Sequence, residues 1–90
     1  VVEAFRKLGA SVLSLAMLGK GVPDLLVSWC GVTMLVEVKA PKGKETEDQL
    51  RFFEGWQGQI FIVRDVAGVL TVVRLLKEQA LLLSMKGSTT

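Results

Sequence analysis

Ninety residues, half of them apolar and 22% charged, suit one compact domain spanning residues 1–90 and exclude intrinsic disorder, which needs low hydrophobicity and high charge. The formal net charge of +2 is too small to identify a partner by itself. The chain has no histidine and no tyrosine, which excludes histidine metal sites, Ser/Cys–His catalysis and tyrosine nucleophiles and leaves carboxylates, lysine, amides and backbone to carry any chemistry.

Val1 to Leu8 reads as one or two turns of helix, expected to be the tail of a longer one, with Gly9 placed to end it in the left-handed conformation. Ser11 to Met17 (SVLSLAM) reads as a first strand, followed by a flexible loop at Gly19, Lys20 and Gly21. Leu25 to Trp29 and Val32 to Lys39 form two strands around a tight Cys30–Gly31 turn, an antiparallel hairpin. Pro41 and Gly43 break the chain between Ala40 and Lys44. Thr46 then opens a helix that runs to about Trp56. Thr46 and Gln49 have the spacing of a capping box, and Leu50, Phe53 and Trp56 line one apolar face expected to lie in a core or dimer interface.

Gly58 ends that helix, and Gln59 to Arg64 (QIFIVR) reads as a buried strand. From Val66 to about Met85 the apolar spacing is helical, closed by Lys86 and Gly87, with Gly87 to Thr90 expected to fray. The order is helix, three strands, helix, strand, helix. It predicts an α/β fold with a mixed sheet flanked by helices.

The positive mean hydropathy of +0.45 is high for so small a chain, so some apolar surface is expected to be covered by a second copy in a homodimer or a higher homo-oligomer. Cys30 is the one cysteine and can form no internal disulfide, which fits a reducing intracellular setting. No signal-peptide pattern opens the sequence, and its apolar runs are too short or too charged to span a bilayer, so no membrane association is expected.

The chemistry concentrates in Val36-Glu37-Val38-Lys39. Alternate side chains of a strand point to opposite faces, so Glu37 and Lys39 project together while Val36 and Val38 turn to the core. Glu-x-Lys alone is a weak pattern, equally read as an ion pair near a strand end. Gly21-Val22-Pro23-Asp24 precedes the partner strand, and Pro23 restricts the path by which Asp24 enters it. The hairpin brings the two segments side by side. Asp24 and Glu37 can then supply hard oxygen ligands to Mg²⁺ or Mn²⁺, with the Val38 carbonyl as a natural third. An ammonium beside two carboxylates keeps its charge, so Lys39 suits charge stabilisation and water positioning better than a general-base role.

Pro23-Asp24 with a downstream Glu37-x-Lys39 resembles the PD-(D/E)XK nuclease superfamily. The longer pattern of Gly21-x-Pro23-Asp24, Glu37-Val38-Lys39, a glycine-containing loop and Asp48-Gln49-Leu50 opening a helix is similar to the virus-type replication-repair nuclease (VRR-NUC) family, from about Glu3 to Arg64. The resemblance implies a restriction-endonuclease-like core in the order α-β-β-β-α-β-α. It implies a Mg²⁺- or Mn²⁺-dependent DNA endonuclease, selective for branched structures such as Holliday junctions or flaps in replication and repair. It also implies a homodimeric phage or prophage protein of the host cytoplasm.

By the same resemblance the catalytic set is Asp24, Glu37, Lys39, Gln49 and, from the first helix, Glu3. The competing readings are a capping role for Gln49 and a solvated helical position for Glu3. Lys20, Lys42, Lys44 and Arg51 are candidate phosphate contacts, read otherwise as a solvated basic surface. The alternative function is a catalytically silent nucleic-acid-binding or assembly module on the same fold. A sequence-specific restriction-type enzyme would need elements for which 90 residues leave no room.

Overall fold

The structure, a computed structural model, describes the backbone of residues 1–88 and the side chains of residues 1–85. Its elements are α1 (Val2–Lys7), β1 (Ser11–Ser14), a 3-10 turn (Ala16–Leu18), β2 (Leu25–Trp29), β3 (Val32–Val38), α2 (Glu47–Gly55), β4 (Ile60–Val63) and α3 (Val66–Ser88). The strands form one four-stranded mixed sheet in the order β1-β2-β3-β4, with antiparallel pairing up to β3 and parallel pairing of β3 with β4. The protein is therefore of the α/β class.

The β2–β3 hairpin turns at Cys30 and Gly31, whose φ angles of 48° and 82° are the paired positive values of a tight primed turn. Trp29 pairs with Val32 across it, which fixes every later pair down to Leu25 and Val36. The parallel pairing of β4 with β3 needs a crossover, and α2 lies within it.

One sheet face carries Leu25, Val27, Met34, Val36 and Val63, all buried. Over it α3 sets Val69, Val72, Val73 and Leu76, one stripe at helical spacing, and α1 adds Phe5. A reciprocal amide pair joins Gln59 to Gln79 at 2.6 and 2.8 Å, and the Lys77 ammonium lies 5.5 Å from the Trp29 ring centre.

Four expectations change. The strand β4, expected to be buried, buries only Val63, and Ile62 is 39% exposed. The first strand stops at Ser14 instead of Met17: the Leu15 N–H still makes the next in-register bond, to the Asp24 carbonyl at 2.7 Å, but the 3-10 turn at Ala16–Leu18 and positive φ angles at Gly19, Lys20 and Gly21 then carry the chain away from the sheet. The helix α2 buries none of its residues. Leu50 is 49% and Trp56 46% exposed, so this apolar stripe is no core face, and the Trp56 ring stacks on Phe52 at 5.3 Å. The last helix continues through Gly87 to Ser88, and of the tail expected to fray, Thr89 and Thr90 lie outside the described residues. No described helix is long and apolar enough to cross a membrane.

Candidate active site

The site forms where the β2–β3 ladder runs out. The last backbone pair is Leu25 with Val36, so the next opposed positions in register are Asp24 and Glu37, on the sheet face away from the α1–α3 core. Here carboxylates replace carbonyls as hydrogen-bond acceptors. The Asp24 N–H donates to Glu37 Oε1 at 3.2 Å, and the Val38 N–H donates to Asp24 Oδ2 at 3.1 Å. Each strand thereby satisfies a backbone donor of the other with a side chain. Pro23 is fully buried immediately before Asp24 and holds the approach to β2.

Two further groups close on Glu37. Lys39 Nζ lies 3.4 Å from Glu37 Oε2, and its side chain is only 14% exposed. Gln49 donates from Nε2 to the same carboxylate oxygen at 2.5 Å and accepts from Lys39 Nζ at 2.6 Å. The capping reading of Gln49 is realised, because Oε1 also accepts the Thr46 N–H at 2.9 Å while the Gln49 N–H donates to Thr46 Oγ1 at 3.2 Å. A carbonyl oxygen can take two donors and an amide nitrogen supplies two, so one glutamine caps α2 and binds the charged pair.

Gly21 explains how α2 comes within reach. Its φ is 81°, and a Cβ built on it would run into the backbone carbonyl of Asp48 and the amide of Gln49. The loop before β2 thus lies directly against the first turn of α2. Only glycine permits both the dihedral and the approach. Its place in the motif has a mechanical cause.

Glu37 is 2% exposed. Burial raises its pKa above the ordinary value of 4.5, and the Asp24 carboxylate raises it further against the opposing pull of Lys39 and the Asp24 N–H. Asp24 Oδ1, by contrast, has no donor among the described residues and is not sealed from solvent, Asp24 being half-buried. The donor set shown at the site is the two carboxylates of Asp24 and Glu37. That fits Mg²⁺, which protein chains hold by one or two carboxylates, leaving the remaining positions to water and phosphate. Among the described residues no three His, Cys, Asp or Glu side chains gather closely enough to hold a metal by themselves.

Of the residues read from the sequence, Asp24, Glu37, Lys39 and Gln49 come together, and Val38 joins through its backbone. Glu3 does not. It stands exposed on α1, two residues and so about 200° around the helix from the buried Phe5, and α1 packs on the opposite sheet face. Lys20, Lys42 and Lys44 are exposed. Arg51 is exposed but engaged with its own helix, 3.3 Å from Glu47 and 3.8 Å from Asp48. Arg64, which belongs to none of the sequence motifs, reaches from the end of β4 to the loop after Lys39; its only sequence signal is a lone charge closing the apolar run QIFIVR. Comparison with known proteins adds no relative: no family model, curated protein or solved structure matches the chain.

Two predictions follow from this geometry. Gly21→Ala costs roughly 1–2 kcal/mol through its dihedral alone, and the overlap with Asp48 adds to it. Its melting temperature is expected to fall by roughly 5 °C or more; an unchanged melt would show that the loop does not press on α2. For Glu37, a raised native pKa means that the folded state binds the proton more tightly than the unfolded chain. Its contribution to stability is present below pH 4.5 and is lost as pH climbs through the higher native pKa. Without divalent metal, the melting temperature of Glu37→Gln should lack that decline, and a matching slope in both proteins would refute the assignment.

Proposed function

We propose that the chain is a metal-dependent nuclease with a PD-(D/E)XK-type core that hydrolyses phosphodiester bonds in DNA. The observation that carries the reading is the convergence of Asp24, Glu37, Lys39 and Gln49, from three separate segments, on one point of the sheet. An ion pair would explain Lys39 and Glu37, and a helix cap would explain Gln49. Neither explains the opposed Asp24, which raises the cost of ionising Glu37. Asp24 also accepts the Val38 N–H, but a neutral asparagine oxygen would accept it as well, so that bond gives no reason to set a second charge against Glu37.

Asp24 and Glu37 would hold Mg²⁺ or Mn²⁺ with the Val38 carbonyl. The ion, when bound, acidifies water and offsets phosphate charge. Lys39 serves as a fixed cation. Gln49 and Glu37 take up two of its three N–H donors, leaving one for a phosphate oxygen or the attacking water. Gln49, locked by the Thr46 cap, sets the direction of that donor. Exposed Lys20, Lys42 and Lys44 would add phosphate contacts without reading sequence. Among the described residues no helix shows a recognition-helix pattern, and selectivity for branched DNA in replication or repair is the reading proposed over sequence specificity.

Self-association belongs to the same proposal. Leu50, Trp56 and Ile62 are exposed, and a groove lined by Phe53, Trp56, Gly58, Ile60 and Ile62 opens beside them. A two-fold homodimer would cover such surface. Light scattering on purified protein is expected to give twice the 9.8 kDa chain mass; a single-chain mass at micromolar concentration rejects the dimer.

Labelled junction, flap, nicked, single-stranded and linear DNAs, each with Mg²⁺, Mn²⁺ or chelator, test the activity. Metal-dependent cutting is expected, slowed by roughly 10²-fold or more in Lys39→Ala or Asp24→Asn. Normal cutting by either variant sinks the site. No cutting of any substrate, with DNA still bound, would establish the silent binding module instead.

A further inference from the structure

Arg64 follows Val63 at the end of β4, where the Val63 carbonyl accepts the Lys39 N–H at 3.0 Å. Its guanidinium does not stay with its own strand. Nη1 donates to the Ala40 and Gly43 carbonyls, each at 2.8 Å, and Nη2 lies 3.8 Å from Glu45 Oε1. The two carbonyls bound a turn closed by the Gly43 N–H donating to the Ala40 oxygen at 2.9 Å. That turn lies against the lysine of the site. A Cβ on Gly43 would stand 3.6 Å from Lys39 Cδ, in ordinary contact with the middle of its stem.

Little else holds this segment. Ala40, Pro41, Lys42 and Lys44 are exposed, so no buried side chain there fixes the path of the loop. An exposed turn that could bond equally well to water takes its shape from whichever fixed donor reaches its carbonyls. A planar guanidinium can hold two carbonyls and face a carboxylate at once, which a lysine ammonium, a point charge on a flexible stem, does not reproduce.

We propose that Arg64 is a positioning residue for Lys39: by holding both carbonyls of the Ala40–Gly43 turn it keeps that turn on the lysine stem and so keeps Nζ between Gln49 and Glu37. Its consequence for catalysis rests on the nuclease reading above; the clamp itself does not. Arg64 touches neither Asp24 nor Glu37, and its effect passes through the loop.

The test has one arm independent of activity. In Arg64→Ala, the Gly43 amide should exchange at least tenfold faster with solvent, while the Lys39 amide, held by β4, stays as it was. By NMR, the Lys39 ammonium protons should exchange measurably faster than in the parent. Unchanged ammonium exchange overturns the proposal whether or not the protein cuts DNA. The second arm is steady-state cleavage well below the melting temperature. Arg64→Ala should lower kcat about tenfold and leave KM within twofold, Arg64→Lys should not restore it, and added methylguanidinium should restore part of it. Unchanged kcat, or a change confined to KM, would give Arg64 a structural or DNA-contact role instead. If Arg64→Ala fails to fold, Arg64→Lys carries both arms. A parent enzyme that cuts nothing defeats the nuclease reading and leaves the exchange arm to decide the clamp.

Discussion

Two hydrogen bonds between side chain and backbone organise this protein: Asp24 N–H to Glu37 Oε1 and Val38 N–H to Asp24 Oδ2. They stand where the backbone ladder of β2 and β3 ends, and they let two carboxylates sit opposite each other, Glu37 buried and Asp24 half-buried. Without them each strand would leave an amide without a partner at the sheet's end, a cost comparable to a lost hydrogen bond. With them the amides are satisfied and the carboxylates are fixed. The same contacts that complete the fold therefore orient the groups read as metal ligands.

Fixing the carboxylates has an electrostatic cost. Glu37 is buried beside Asp24, and its raised pKa records that the site resists carrying both charges. Lys39 and the Gln49 amide offset part of that cost. A bound divalent cation of the kind proposed would offset more. Tension of this kind in a small, otherwise apolar domain is easier to understand as a requirement of function than of stability.

Most of the local structure was legible along the chain. The Cys30–Gly31 turn, the hairpin and the Thr46–Gln49 capping box depend on neighbours in sequence, so short patterns reveal them. Period two placed Glu37 and Lys39 on one face. Boundaries were less legible: the first strand ends early because the chain turns at Ala16–Leu18 and passes through positive φ angles at Gly19, Lys20 and Gly21, although its apolar run continues to Met17. The α2 stripe shows a related limit: of the core and the dimer interface it could serve, the fold removes the core. Periodicity finds an apolar face but does not say what lies opposite it, and in this chain Leu50 and Trp56 remain in the open.

By itself, the sequence determined the element types, the shared face of Glu37 and Lys39, and the residue set whose resemblance suggests a nuclease. Tertiary structure decided which of those residues meet. It set Asp24 opposite Glu37 through strand register, brought Gln49 to both through the close packing of Gly21 against Asp48, tied the loop after Lys39 to Arg64, and left Glu3 on the far face. The physical reason is range. Dihedral preference and periodicity act over a few residues, whereas register and loop packing join segments more than ten residues apart, and only the folded chain brings those into contact.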